Sequence, residues 1–92
     1  MSKIIFMAED DPLMSRMYER AFTLNGYELH TAPDGKKALS ELRDMVEPPT
    51  VIILDVMMPI MSGFDVLRAL KQDDKLKNIP VVLLTNLAGD KD

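Results

Sequence analysis

Ninety-two residues, 47% hydrophobic and 28% charged, make one globular domain spanning residues 1–92 and not two. A net charge of −4 leaves no basic face for nucleic acid or anionic lipid, and no apolar run approaches the ~20 residues of a membrane span. Without cysteine there is no disulfide or thiolate chemistry, and the first residues lack a signal-peptide pattern, so a reducing cytoplasm is the expected location.

The first apolar run, Lys3 to Ala8 (K-I-I-F-M-A), reads as a strand and ends in acid: Glu9, Asp10, Asp11. Pro12 is favoured at a first helical position, where its missing N–H would be unpaired anyway, and this makes Asp11 the N-cap. From Leu13 to Leu24 the residues Leu13, Met14, Met17, Ala21, Phe22 and Leu24 recur at helical spacing, until Asn25-Gly26 ends the helix. Tyr27 to Ala32 alternates, with Tyr27, Leu29 and Thr31 on one side and Glu28 and His30 on the other: a half-exposed strand near a sheet edge. Pro33-Asp34-Gly35 turns the chain into a second helix with Ala38, Leu39, Leu42 and Met45 inward, and Pro48-Pro49 stops it.

Val51, Ile52, Ile53 and Leu54, three of them β-branched, form a strand buried on both faces, and Asp55 stands where that run stops. Pro59 and Gly63 supply a loop, Ser62 and Asp65 form a capping-box pair, and Phe64, Val66, Leu67 and Leu70 give a third helix its inner stripe. Asp73 to Asn78 is a polar connection. Pro80 to Thr85 is the fourth strand, its proline tolerated at the first position, and Asn86 to Asp92 is a polar tail.

Repeated strand–helix alternation predicts an α/β fold: a parallel sheet with right-handed crossovers and helices on both faces. All strands then run the same way, so the tips carrying Glu9 and Asp10, Asp55, and Thr85 meet at one end. Carboxylates gathered there raise each other's pKa, and a divalent cation relieves them. An all-oxygen donor set with space for water suits Mg²⁺. The metal would also offset phosphate charge, so that Asp55 can attack phosphorus as a carboxylate nucleophile while the Thr85 hydroxyl bonds a phosphate oxygen. Taken singly, each of these residues reads equally as a cap, a turn or a strand-end hydroxyl; their arrangement at separate strand tips carries the functional reading. The single histidine, His30, and the basic side chains Lys36, Lys37, Arg16 and Arg20 read as solvated surface, and Tyr18 and Tyr27 as packing residues.

A-E-D-D-P at the first strand end, L-D-V-M-M-P-I-M-S-G around Asp55, and P-V-V-L-L-T together resemble the receiver domain of bacterial response regulators. The middle stretch fits that family's D-x-x-M-P-x-M-x-G without a departure, A-P-D-G-K-K-A-L resembles the turn into its second helix, and the likeness runs from Lys3 to Asn86. The resemblance implies a flavodoxin-like, doubly wound sheet, here in the order 2-1-3-4. It implies that Asp55 accepts a phosphoryl group from a phosphohistidine on a sensor histidine kinase or phosphotransfer protein. Magnesium would be held by Glu9, Asp10, Asp55 and the backbone carbonyl of Met57, and Thr85, followed by Asn86, would be the switch hydroxyl at the phosphate.

Two positions depart from the family pattern. Its lysine at the end of a fifth strand has no counterpart before the sequence stops at Asp92, Lys91 lying in what should be a fourth helix; and Asn86 stands where a small residue is usual. The expectation is a receiver truncated before its fifth strand and last helix, with impaired output, and with an exposed edge at Val81 to Leu84 through which it self-associates. A non-switching module that sequesters a kinase is the alternative. A magnesium-dependent aspartyl-phosphate phosphatase is disfavoured, because haloacid-dehalogenase-like enzymes carry an acid/base aspartate where this chain has Met57.

Overall fold

Seven elements alternate along residues 3–85, the part of the chain described by the computed structural model: β1 (Lys3–Ala8), α1 (Pro12–Leu24), β2 (Tyr27–Ala32), α2 (Gly35–Asp44), β3 (Val51–Asp55), α3 (Gly63–Lys71) and β4 (Val81–Leu84). The four strands are all parallel and hydrogen-bonded in the order β2-β1-β3-β4. β1 leads to β2 on one side, and β2 must then return across β1 to reach β3. Right-handed crossovers therefore put α1 on one face of the sheet and α2 and α3 on the other. The direction of winding reverses between β1 and β3, and the crevice beyond the carboxyl ends of those strands is where such sheets place ligands.

Local chemistry sets the boundaries. Asp11 caps α1, its carboxylate accepting from the N–H groups of Leu13 at 2.9 Å and Met14 at 3.5 Å. Asp34 caps α2 through the Lys37 N–H, and Ser62 and Asp65 form a reciprocal capping box at α3. The core lies between the sheet and the α2–α3 layer, where Phe6, Ala8, Ile52 and Leu54 meet Ala38, Leu39, Leu42, Val66 and Leu70. Side chains alternate along a strand, so Ile5 and Met7, also buried, face the opposite side.

Three features differ from the sequence reading or go beyond it. The apolar stripe of α1 is not a core face: no residue of the helix is buried, and Leu13, Met17 and Leu24 are exposed, because the helix packs mainly along the edge strand β2. Half of Phe64 is exposed too, leaving Val66 and Leu70 to anchor α3. The polar connection Asp73 to Asn78 hides Leu76, which is fully buried and inserts into the core cluster. Beside it, the Lys75 ammonium donates to the carbonyls of Arg43, at 3.1 Å, and Met45, tying this connection to the carboxyl end of α2. No helix among the described residues is long and apolar enough to cross a membrane.

Candidate functional site

Three acids meet at the carboxyl end of the sheet. Glu9 and Asp10 directly follow β1, and Asp55 is the last residue of β3; one carboxylate oxygen from each lies within 4.8 Å of the others. They are placed by backbone bonds, beginning with the Glu9 N–H, which donates to the Ala32 carbonyl at 3.0 Å. The Val56 N–H donates to the Leu84 carbonyl at 2.9 Å, which locks the residue after Asp55 to the end of β4. Gly63 then brings the chain back against the strand tip: a Cβ there would come within 2.6 Å of the Asp55 carbonyl oxygen, so only glycine permits this approach.

The cluster is short of compensating charge. Glu9 is only 8% exposed and Asp55 only 6%, whereas Asp10 faces solvent. Each buried carboxylate has one backbone donor: the Asp11 N–H to Glu9 at 3.2 Å, and the Met57 N–H to Asp55 Oδ1 at 3.1 Å. These do not offset desolvation. Burial first, and the neighbouring Asp55 after it, push the Glu9 carboxyl up to about 7 against the lowering effect of the Asp11 N–H. Burial, with Asp10 adding to it, also raises the Asp55 carboxyl, against the Met57 N–H. Crowded carboxylates held above their ordinary pKa, with only oxygen donors, are a fitting seat for a hard divalent cation, since a cation favours their anionic forms.

Thr85 follows β4 and lines a cleft of about 120 Å³ together with Glu9, Asp55, Met14, Tyr18 and Leu84. Glu9, Asp55 and Thr85, read from the sequence at the first, third and fourth strand tips, thus border one cleft, and Asp10 lies outside its lining. The sequence reading missed its wall. Met14 and Tyr18 lie one helical turn apart on α1 and form its apolar side, a pairing that i, i+4 spacing alone reveals. Tyr18 also packs, its ring 6.4 Å from Phe22, which meets Tyr27 edge-on at 6.0 Å. The Met57 side chain is exposed, and Asn86, Leu87 and Lys91 lie outside the described residues. His30 sits on the exposed β2 edge, paired with Glu28 at 2.6 Å, and is not among the residues lining the cleft. A larger cavity of about 680 Å³ lies between α2 and the loop after β3, but its lining holds none of the strand-tip acids.

The family description "Response regulator receiver domain" matches residues 5–92. The response regulator PleD of Caulobacter vibrioides is 45% identical over 93 residues, covering 100% of this chain and 20% of PleD. The polar-differentiation response regulator DivK of Brucella anthropi is 33% identical over 94 residues, covering 100% of this chain and 75% of DivK. Among solved structures, the phosphorylated cyanobacterial phytochrome response regulator RcpA superposes with a TM-score of 0.84 at 34% identity, over 92% of this chain and 66% of that one. The N-terminal domain of a response regulator receiver protein from Methanoculleus marisnigri gives a TM-score of 0.83 at 32% identity, over 89% of this chain and 65% of that one. The chain thus spans only a fifth of PleD and about two thirds of these structural neighbours.

Proposed function

The chain belongs to the response-regulator receiver family, and from that premise we propose that it is a magnesium-dependent phosphoryl acceptor working in the cytoplasm, with Asp55 as the acceptor. The donor is a phosphohistidine on a sensor kinase or phosphotransfer protein, as befits a two-component module. A carboxylate oxygen of Asp55 bonds to phosphorus while the P–N bond to the donor imidazole breaks, leaving an acyl phosphate on Asp55. The observation that carries this reading is the approach of Glu9, Asp10 and Asp55 oxygens to within 4.8 Å at one sheet end.

Glu9, Asp10, Asp55 and the Met57 carbonyl would hold the Mg²⁺ ion. When bound, it offsets the charge of carboxylates and phosphate and lets both meet. The Met57 N–H fixes the orientation of the acceptor carboxylate, and the Thr85 hydroxyl bonds a phosphate oxygen. The module relays a signal and does not turn over substrate: Met57 stands where an aspartyl-phosphate phosphatase of the haloacid-dehalogenase type would need its acid/base.

Incubation with a small acyl phosphodonor and Mg²⁺, followed by intact mass, tests the assignment. A stable gain of one phosphoryl group is expected, absent without the metal and absent in Asp55→Asn. Continuous donor hydrolysis would mean an enzyme instead, and an unchanged mass would refute the acceptor role.

A second property is supported by β4. Val82 is 46% exposed, and among the described residues β4 pairs with β3 alone. An apolar strand with a free edge recruits a partner strand, and a second copy of the chain is the partner we assign to it.

A further inference from the structure

Two methionines stand side by side after the acceptor strand, in opposite surroundings. Met58 is 8% exposed and belongs to the core, whereas Met57 is 72% exposed. Among the described residues Met17, on α1, is the other exposed methionine, at 58%. Met57 is set apart from Met17 by its backbone, whose N–H donates to Asp55 Oδ1 at 3.1 Å. Its thioether therefore hangs from the residue that orients the acceptor carboxylate, on a side chain with three rotatable bonds.

We propose that Met57 is a reversible oxidation site through which peroxides act on the Asp55 centre, an inference that rests on Asp55 being the acceptor. The sulfur lone pair attacks one oxygen of hydrogen peroxide, the O–O bond breaks, the sulfur is oxidised by two electrons to the sulfoxide, and the other oxygen leaves as water. No thiol competes for the oxidant, because the chain has no cysteine. The product replaces a flexible apolar group by a polar one with a strong acceptor oxygen. Carried by the residue whose N–H orients the Asp55 carboxylate, that oxygen attracts water and adds negative potential to a site already short of positive charge. Both effects weaken Mg²⁺ binding and expose an acyl phosphate on Asp55 to hydrolysis.

The test is limited treatment with hydrogen peroxide, followed by peptide mapping, titration with Mg²⁺ alone, and the half-life of the phosphorylated form. Met57 and Met17 should gain oxygen well before Met58 and Met7. Oxidised protein should bind Mg²⁺ severalfold more weakly and lose its phosphoryl group severalfold faster than untreated protein, and methionine sulfoxide reductase should reverse both changes. Each variant is compared with its own untreated sample: Met57→Leu should lose the response to peroxide, and Met17→Leu should keep it. Oxidation of Met57 no faster than Met58, or unchanged Mg²⁺ affinity and half-life once Met57 is sulfoxide, would overturn the proposal. Failure of untreated protein to accept a phosphoryl group would instead refute the acceptor reading, and the Mg²⁺ titration would still decide the role of Met57.

Discussion

Glu9 shows most directly what the site costs the fold. Its carboxyl, raised by burial from 4.5 to about 7, holds a proton in the folded chain that it would release in the unfolded one. Between those two values the folded state binds more protons, so stability falls as pH rises through the window from 4.5 to about 7. The raised Asp55 carboxyl acts in the same direction. For the metal-free protein, thermal unfolding should therefore show a midpoint that declines from about pH 5 to about pH 8, by the equivalent of a few kcal/mol at most. Glu9→Gln should flatten most of that decline. Mg²⁺ competes with the proton, so adding it should raise the midpoint near pH 8 and do little near pH 5. A wild-type midpoint that is constant or rising across this range without metal would contradict the account. The sequence shows acids at strand ends, which is enough to bring Glu9, Asp10 and Asp55 together once the strands are parallel. It does not show that Glu9 and Asp55 are buried while Asp10 is exposed, because burial depends on neighbouring strands and on the loop that Gly63 closes over the tip.

At the scale of elements, periodicity identified every strand and helix but not what each one covers. The stripe on α1 has a helical period, yet the helix packs mainly along an edge strand and leaves Leu13, Met17 and Leu24 in solvent. The reverse holds for Leu76, one apolar residue in a polar connection, with no period to announce it. Its burial beside Leu42 and Leu70 makes this loop part of the core, and Leu76→Ala should cost about 2–5 kcal/mol in chemical denaturation. Leu24→Ala, at an exposed position of similar chemistry, should cost less than about 1 kcal/mol. Equal losses would mean that the connection is not anchored as described. Gly63 makes the corresponding case for the loop after β3. An added methyl meets the Asp55 carbonyl at 2.6 Å, backbone that cannot step aside, so Gly63→Ala should displace the strand tip. Its expected signature is weaker Mg²⁺ binding, measured by titration, in a protein that still folds; unchanged affinity would show that the loop tolerates the methyl.

The topology of the whole molecule explains both the site and its apolar flank. Reversal of winding between β1 and β3 opens the crevice that Glu9 and Asp55 border, and among the described residues the strand order that achieves it has two edges, β2 and β4. The edges differ in chemistry. β2 carries Glu28, His30 and Thr31, polar groups that discourage pairing, and α1 packs along it. β4 is Val-Val-Leu-Leu, with Val82 exposed and Val81, Leu83 and Leu84 half-buried. The carbonyls of Pro80 and Leu84 are taken by Ile52 and Val56 on the β3 side, and strand alternation turns the backbone groups of Val81 and Leu83 outward. A net charge of −4 opposes association only weakly at physiological salt, where screening shortens its reach to about 8 Å. Sedimentation at micromolar concentration should therefore show reversible self-association. Val82→Lys places a charge on the edge without touching the α2–α3 core, and it should shift the population to monomer while leaving Mg²⁺ affinity unchanged. A wild-type chain that sediments as a monomer would refute the association, whereas a Val82→Lys variant that associates as strongly as wild type would move the contact away from β4, leaving the exposed stripe of α1 as the next surface to substitute.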